Sequence, residues 1–221
     1  MQFQLERDGF ELMPALLDPG EISLVERLLD CFAGSAGVRI FGNPALGAWL
    51  IEGSLGMTAQ SVLGPKARPV RAILFDKKPT RNWALGWHQD RTIAVRERIP
   101  ATGFDRWTNK AGVMHVEPPF AIVEKMITVR LHFDPVNGRN APLLVSPGSH
   151  LLGRITEGDV QTVIERCGIV ACLADRGDVW LYRTAILHAS EKSEGDASRR
   201  VLQVDFSCED LPGRLEWVGV A

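Results

Sequence analysis

Two short patterns carry most of the metal-binding potential of this sequence. His88-Gln89-Asp90 and His132-Phe133-Asp134 each place an imidazole two residues before a carboxylate. Alternate residues of a strand project to one face, so such a pair at a strand end can bind a single ion with both side chains. A third ligand from a distant strand would complete a facial triad. That triad leaves coordination positions open, which suits a non-haem iron(II) oxygenase, although the same donors would also hold zinc or manganese. Among the five histidines, His88, His115, His132, His150 and His188, the third-ligand candidate is His188. An apolar strand run starting at Val179 leads up to it, and two small residues, Ala189 and Ser190, follow. A core histidine satisfied by backbone bonds is the competing reading. His132-Phe133-Asp134 runs into Pro135-Val136-Asn137-Gly138, so Asp134 reads as a turn-forming carboxylate rather than a ligand. Eleven residues past His188, Arg199 and Arg200 enter the last strong strand. A buried arginine facing a metal could take a dicarboxylate end-on through its planar fork; a solvated pair on a strand edge is the simpler alternative.

The elements that must position these residues are mostly short strands. Candidates fall near Val70–Phe75, Trp83–His88, Val113–Val116, Met126–Phe133, Leu143–Val145, Ile169–Leu173, Val179–Tyr182 and Val201–Phe206. Gly, Pro, Asn and Asp turns separate them, with Asn137-Gly138 read as a tight turn. Many short strands without interleaved helices predict an antiparallel barrel or double-sheet jelly roll. The first third reads as helical. Asp18 and Pro19 start one helix, whose apolar face is Ile22, Val25, Leu28, Leu29 and Phe32, and which Gly34 ends. A second helix is expected from about Pro44 to about Leu63, with Gly47, Gly53 and Gly56 weakening it. The Arg91–Pro119 stretch is polar and poorly periodic, and a connection that long is usually functional or mobile.

The 221 residues suit one domain, with a helical part over about 1–66 and a β core over about 67–210. A chain of this length buries roughly 70% of its unfolded surface without staples. Hydrophobic content of 45% and charged content of 24% are those of a globular protein. A net charge of -2 argues against a nucleic-acid footprint. No apolar run approaches the ~20 residues of a membrane span, and the first residues lack a secretory core. A cytoplasmic protein is therefore expected. Cys31, Cys167, Cys172 and Cys208 form no CxxC pair and read as buried reduced thiols.

Several stretches together resemble the phytanoyl-CoA dioxygenase family of iron(II)/2-oxoglutarate oxygenases, from about Leu5 to about Ser207. Asp8-Gly9-Phe10 through Leu16-Leu17 resembles the family's opening before a helix. Trp87-His88-Gln89-Asp90 is similar to its iron-binding motif, and Asn140 to His150, with Ser146-Pro147-Gly148-Ser149-His150, resembles a second conserved stretch. Gly177-Asp178 through His188-Ala189-Ser190 resembles the segment that supplies the second imidazole. The resemblance implies a double-stranded β-helix, mainly β with flanking helices. It implies iron on His88, Asp90 and His188, and Arg199 on the distal carboxylate of 2-oxoglutarate. Lys77 or Lys78 matches a family lysine near the co-substrate, and an exposed basic turn explains that pair equally well. His132 and His150 take no ligand role. Ala141 and Ala189 stand where the family usually has glycine. A carboxylate at position 90 argues for hydroxylation, since related halogenases carry a small residue there.

The implied reaction is hydroxylation of a C–H bond of a small molecule, with 2-oxoglutarate and O2 consumed, succinate and CO2 released, and ascorbate helping in vitro. Arg96, Arg98, Arg106, Trp107 and His115 could bind an anionic substrate, and a solvated loop explains them equally. No nucleic-acid or membrane partner is expected, and a monomer and a homodimer both remain open. The alternatives are a non-catalytic metal- or ligand-binding jelly roll and, more weakly, a zinc hydrolase.

Overall fold

The computed structural model describes residues 3–32, 37–77, 83–194 and 199–221. Six helices occur among them: α1 (Leu5–Asp8), α2 (Pro19–Leu29), α3 (Pro44–Glu52), α4 (Ser54–Leu63), α5 (Phe120–Glu124) and α6 (Val160–Cys167). The strands are β1 (Phe10–Met13), β2 (Val38–Ile40), β3 (Arg68–Lys77), β4 (Leu85–His88), β5 (Ile93–Val95), β6 (Asp105–Lys110) and β7 (Val113–Glu117). They continue with β8 (Ile127–His132), β9 (Leu143–Val145), β10 (Val170–Cys172), β11 (Val179–Arg183), β12 (His188–Ser190) and β13 (Arg199–Ser207). A six-stranded sheet runs β1-β11-β8-β13-β3-β2, a four-stranded sheet β10-β9-β12-β4, and a three-stranded sheet β5-β7-β6. Every pairing is antiparallel. The first two sheets form the expected jelly roll, and all eight strand candidates are present.

The six-stranded sheet has two unlike faces. Ile40, Ala72, Leu74, Ile127, Val129, Leu131, Leu181, Leu202, Val204 and Phe206 lie in one cluster with Ile22, Val25 and Leu29 of α2, Leu46 and Leu50 of α3, and Leu55 and Ala59 of α4. This is the main core, and the helices exist to cover it. The other face carries the alternate residues, and cross-strand register places them in rows. Arg39, Ile73, Gln203, Arg130 and Trp180 make one row; Arg71, Asp205, Thr128 and Tyr182 make a second; Lys77 and Arg199 make a third. These residues face the interior of the jelly roll.

Local chemistry explains the helix ends. Asp18 accepts from the Glu21 backbone N–H at 2.8 Å, and Asn43 accepts from that of Leu46 at 3.0 Å, each with proline at the first helical position. Gly34 lies outside the described residues; α2 ends at Leu29 and passes into a 3-10 turn over Asp30–Phe32. The helix expected over Pro44–Leu63 is broken at Gly53, which ends α3 and begins α4 in extended conformation. A Cβ at Gly53 would stand 2.7 Å from the Trp49 carbonyl oxygen. The N-terminal third also supplies β1 and β2 to the large sheet, so it is not purely helical.

The Arg91–Pro119 stretch is folded rather than irregular. Its three strands close over Ile93, Val95, Phe104 and Val116, which pack on Leu211, Leu215 and Trp217 from the C-terminal segment. The apolar partners lie a hundred residues away, so no local period announced them. The cysteines are all free, as expected, but only Cys172 is buried; Cys31 is exposed.

Candidate active site

His88 ends β4 and His188 begins β12, and the two strands pair with these residues opposite each other. Their rings lie 4.4 Å apart between centroids. Asp90 follows two residues on. Ligand atoms from His88, Asp90 and His188 all lie within 4.8 Å of one another, the only such cluster of three or more among the described residues. Each side chain is held in a ligating orientation by a second group. His88 Nδ1 lies 2.7 Å from the Gly86 carbonyl oxygen and His188 Nδ1 lies 2.9 Å from that of Ile186. Donation from Nδ1–H leaves each Nε2 with its lone pair for a metal. Arg71 donates to Asp90 Oδ2 at 2.9 Å and also pairs with Asp205, leaving the other Asp90 oxygen for a metal.

Burial works to raise the Asp90 carboxyl, but Arg71 and the two imidazoles outweigh it and hold it at about 2. Burial, then the neighbouring His88, pushes His188 down to about 4. The set therefore presents a carboxylate and a neutral His188, as metal ligation requires.

The residues flanking the cluster do positioning work. The Gln89 amide donates to the Ala185 carbonyl at 2.7 Å and the Gly153 carbonyl at 3.0 Å, and its oxygen accepts from Ile155 N–H at 2.8 Å. These bonds clamp the ligand loop to the body of the sheet. Ser149 accepts from Leu187 N–H at 2.9 Å, fixing the backbone beside His188. His150 Nδ1 would stand 2.4 Å from a Cβ at Gly9, whose φ of +86° already favours glycine. His150 thus packs between the Asp8-Gly9 turn and its own loop, a structural role. His132 sits on the interior face, buried, with Nδ1 3.4 Å from the Asp178 carbonyl oxygen, and joins no metal cluster. Asp134 accepts three hydrogen bonds from Arg200, from the backbone N–H at 2.8 Å and the side chain at 3.0 and 2.7 Å.

That pairing separates the two arginines. Arg200 points outward to Asp134 and Glu26. Arg199 points inward, is 2% exposed, donates Nη1–H to the Ala141 carbonyl, and leaves Nε without a partner. Ala141 holds a φ of +58°, the left-handed conformation that favours the glycine usual there. Beside Arg199 stands Arg130, 5% exposed, bonded to Gln203 at 2.9 Å and with its own Nε unpartnered. Burial and the Arg130 charge lower Arg199 to about 9. The Lys77 ammonium lies at the same end, donating to the Trp83 carbonyl at 2.8 Å, the Glu191 carbonyl at 2.9 Å and Ser190 Oγ at 3.1 Å. Burial, then Arg199 and Arg130, lowers it to about 8. Lys78 lies outside the described residues.

His88, Asp90, His188, Lys77, Arg130 and Arg199 all line one cavity of about 460 Å³, a size that suits a small-molecule site. None of Arg96, Arg98, Arg106, Trp107 and His115 lines it. Arg96 pairs with Glu216 at 3.1 Å, Arg98 lies over Trp107, and Arg106 lies 3.5 Å from Glu117. His115 is fully buried among the third sheet's residues. From that stretch Arg91, Thr92 and Lys110 reach the cavity instead. Arg130 was missed in the sequence although a signal existed, since Thr128, Arg130 and His132 alternate with Ile127, Val129 and Leu131. Arg39 and Lys110 gave no such signal.

The family model for phytanoyl-CoA dioxygenase (PhyH) matches residues 58–201, which include His88, Asp90, His188 and Arg199. The chain belongs to the phytanoyl-CoA dioxygenase family. Iron(II), 2-oxoglutarate and O2 are the cofactors of this family of non-haem oxygenases. No curated protein matches the sequence. Among solved structures, the apo form of EctD from S. alaskensis superposes with a TM-score of 0.69 at 19% identity, over 98% of this chain and 78% of that one. AviO1 from Streptomyces viridochromogenes Tue57 gives 0.61 at 18%, over 95% and 94%. HygX from Streptomyces hygroscopicus, solved with nickel and 2-oxoglutarate bound, gives 0.62 at 13%, over 92% and 84%. At these identities the likeness to this family member is one of fold.

Proposed function

We propose that this family member is an iron(II)/2-oxoglutarate-dependent hydroxylase of a small molecule, releasing succinate and CO2. One observation carries the reading. A two-histidine, one-carboxylate cluster shares a cavity with a buried arginine whose Nε has no partner. His88, Asp90 and His188 would hold iron, which supplies O2 activation and the oxidising power for C–H cleavage. The donor set fits, because both imidazoles have Nδ1 committed to a carbonyl and Asp90 is anionic. Arg199 takes the distal carboxylate of 2-oxoglutarate, and Arg130 stands close enough to share it. Lys77 acts there mainly through its charge, since its three hydrogens already have acceptors. Trp83, Phe75 and Leu143 complete the wall and keep water from the reacting end. With Asp90 in place the metal keeps its carboxylate ligand, which favours hydroxylation over halide transfer.

The cavity lining favours an anionic prime substrate. Seven Lys and Arg side chains face one carboxylate, Asp90, more positive charge than a dianionic co-substrate balances. The test is succinate formation from 2-oxoglutarate with iron(II), ascorbate and O2, with no prime substrate added. Slow turnover is expected in the wild type and only background in His88→Ala and Arg199→Ala. Wild-type protein that neither turns over nor binds 2-oxoglutarate would leave a non-catalytic jelly roll.

A further inference from the structure

Of the seven cations of the cavity, Arg91 is taken up by the Ile155 carbonyl and the other six fall at two ends. Lys77, Arg130 and Arg199 occupy the end at which the co-substrate is placed. Arg39, Arg71 and Lys110 occupy the other, beyond Asp90. Their situations differ. Arg71 is neutralised by Asp90 and Asp205. Arg39 and Lys110 have no hydrogen-bond or ion-pair partner for their side chains among the described residues, and Arg39 Nε is buried without an acceptor. Arg39 comes from the short edge strand β2, where its register opposite Ile73 turns it into the jelly roll. Lys110 comes from the end of β6 in the separate three-stranded sheet. Two elements with no sequence relation thus bring like charges to one wall.

Lys110 is exposed and reaches the cavity from solvent, whereas Arg39 is half-buried with its Nε removed from water beside Arg71 and Lys110, a placement that is unfavourable unless an anion joins them. Nothing in the fold needs them there. β2 is held to β3 by its backbone, and the third sheet is held by its own apolar cluster. Arg39 also cannot serve the co-substrate together with Arg199. Arg39 stands four positions along the sheet and two strands across from Arg199, on the edge strand β2, whereas Arg130, in the row of Arg39, stands on β8 directly beside β13.

We infer that Arg39 and Lys110 form the recognition site for an oxyanion group, carboxylate or phosphate, on the prime substrate. The inference rests on the oxygenase reading, since that reading assigns the Arg199 end to 2-oxoglutarate. The substrate would then be tethered by its anionic end on the Arg71 side of the His88–Asp90–His188 cluster, with a C–H bond some distance from that end lying toward the cluster. A guanidinium and an ammonium together discriminate such a group from a neutral amide or ester of the same shape, because the neutral analogue leaves both cations unpaired.

Binding to the purified protein can be followed by calorimetry, with 2-oxoglutarate saturating so that the Arg199 end is filled. The probes are inorganic phosphate, benzoate and, as the neutral control, benzamide. Phosphate or benzoate is expected to bind and benzamide not to, and the stronger of the two anions identifies the oxyanion class. Arg39→Gln and Lys110→Gln should each weaken that binding about tenfold. Arg39→Lys should recover much of it, and Arg96→Gln, outside the cavity, should not change it. Melting curves of all variants establish that they are folded. Absence of anion binding in the wild type, or equal binding in wild type and both Gln variants, overturns the inference. The oxygenase reading has its own control in the 2-oxoglutarate titration. If 2-oxoglutarate binds and Arg199→Gln abolishes it, a failed anion experiment removes the Arg39–Lys110 site and leaves the oxygenase standing. If 2-oxoglutarate does not bind, both fall.

Discussion

The two faces of the six-stranded sheet are made by the same strands yet have opposite chemistry. On β13, Leu202, Val204 and Phe206 face the helices and are fully buried, while Arg199, Gln203 and Asp205 face the jelly-roll interior. On β8, Ile127, Val129 and Leu131 oppose Thr128, Arg130 and His132. One face folds the protein through burial of apolar area. The other holds charges in a buried cavity, which opposes folding and is explained by what the cavity must bind. Stability and activity are therefore expected to separate by face.

The largest effect should come from the apolar face. Leu202→Ala removes a fully buried side chain and is expected to cost about 3 kcal/mol in a denaturant titration. The protein that remains folded should keep its succinate-forming rate, and a rate that falls in proportion to nothing but the mutation itself would break the division of labour. The next effect sharpens it from the interior face. Burial pushes His132 down to about 3 in the folded chain, against about 6.5 when unfolded. Below pH 6.5 the unfolded chain binds a proton that the folded chain refuses. The stability is thus fully present above that pH and is lost as the pH falls toward 3. At pH 5 the loss is about 2 kcal/mol from this residue. Melting curves of His132→Gln should be flatter between pH 8 and 5 than those of the wild type, and equal slopes would contradict the argument.

A smaller and opposite-signed effect is expected at Arg130. Arg130→Met removes a buried charge with an unpartnered Nε and should leave the melting temperature equal or higher. The affinity for 2-oxoglutarate should fall about tenfold in the same variant, measured by calorimetry. Arg130→Met that binds 2-oxoglutarate as the wild type does would remove Arg130 from the co-substrate end. The smallest effect belongs to Arg200, whose partly exposed pairs with Asp134 and Glu26 hold it outward. Arg200→Ala should cost at most about 1 kcal/mol and leave succinate formation intact. Set beside Arg199→Ala, it tests whether two adjacent arginines on one strand serve different faces.

Much of the site was legible before any coordinates, and for a local reason. A strand alternates with period two, so His88 and Asp90 were bound to share a side, and a histidine at the end of an apolar strand was a reasonable third ligand. The jelly roll followed from many short strands with polar turns. What was missed depended on distant pairing. Arg39 sits on a three-residue strand inside a region that reads as helical, and only its register with β3 turns it inward. Lys110 ends a strand in a polar stretch whose sheet is stabilised by Leu211, Leu215 and Trp217. The residues favoured for substrate contact in that stretch stay outside the cavity: β6 presents Arg106 to solvent and to Glu117, and Arg98, ahead of that strand, lies over Trp107.

The sequence by itself determined the chemical inventory and which members of a strand share a side, because both are set by residue type and by a two-residue period. It favoured His88 over His132 as the metal histidine only through the turn residues after Asp134, and the residues alone left Arg199 or Arg200 open as the inward cation. Tertiary structure set where these residues stand. β4 meets β12 with His88 opposite His188, while His132 is paired with Val201 in the other, six-stranded sheet. Asp134 reaches Arg200 and leaves Arg199 to the interior. Register between strands far apart in the chain is a collective property of the packed sheets, and no local pattern encodes it.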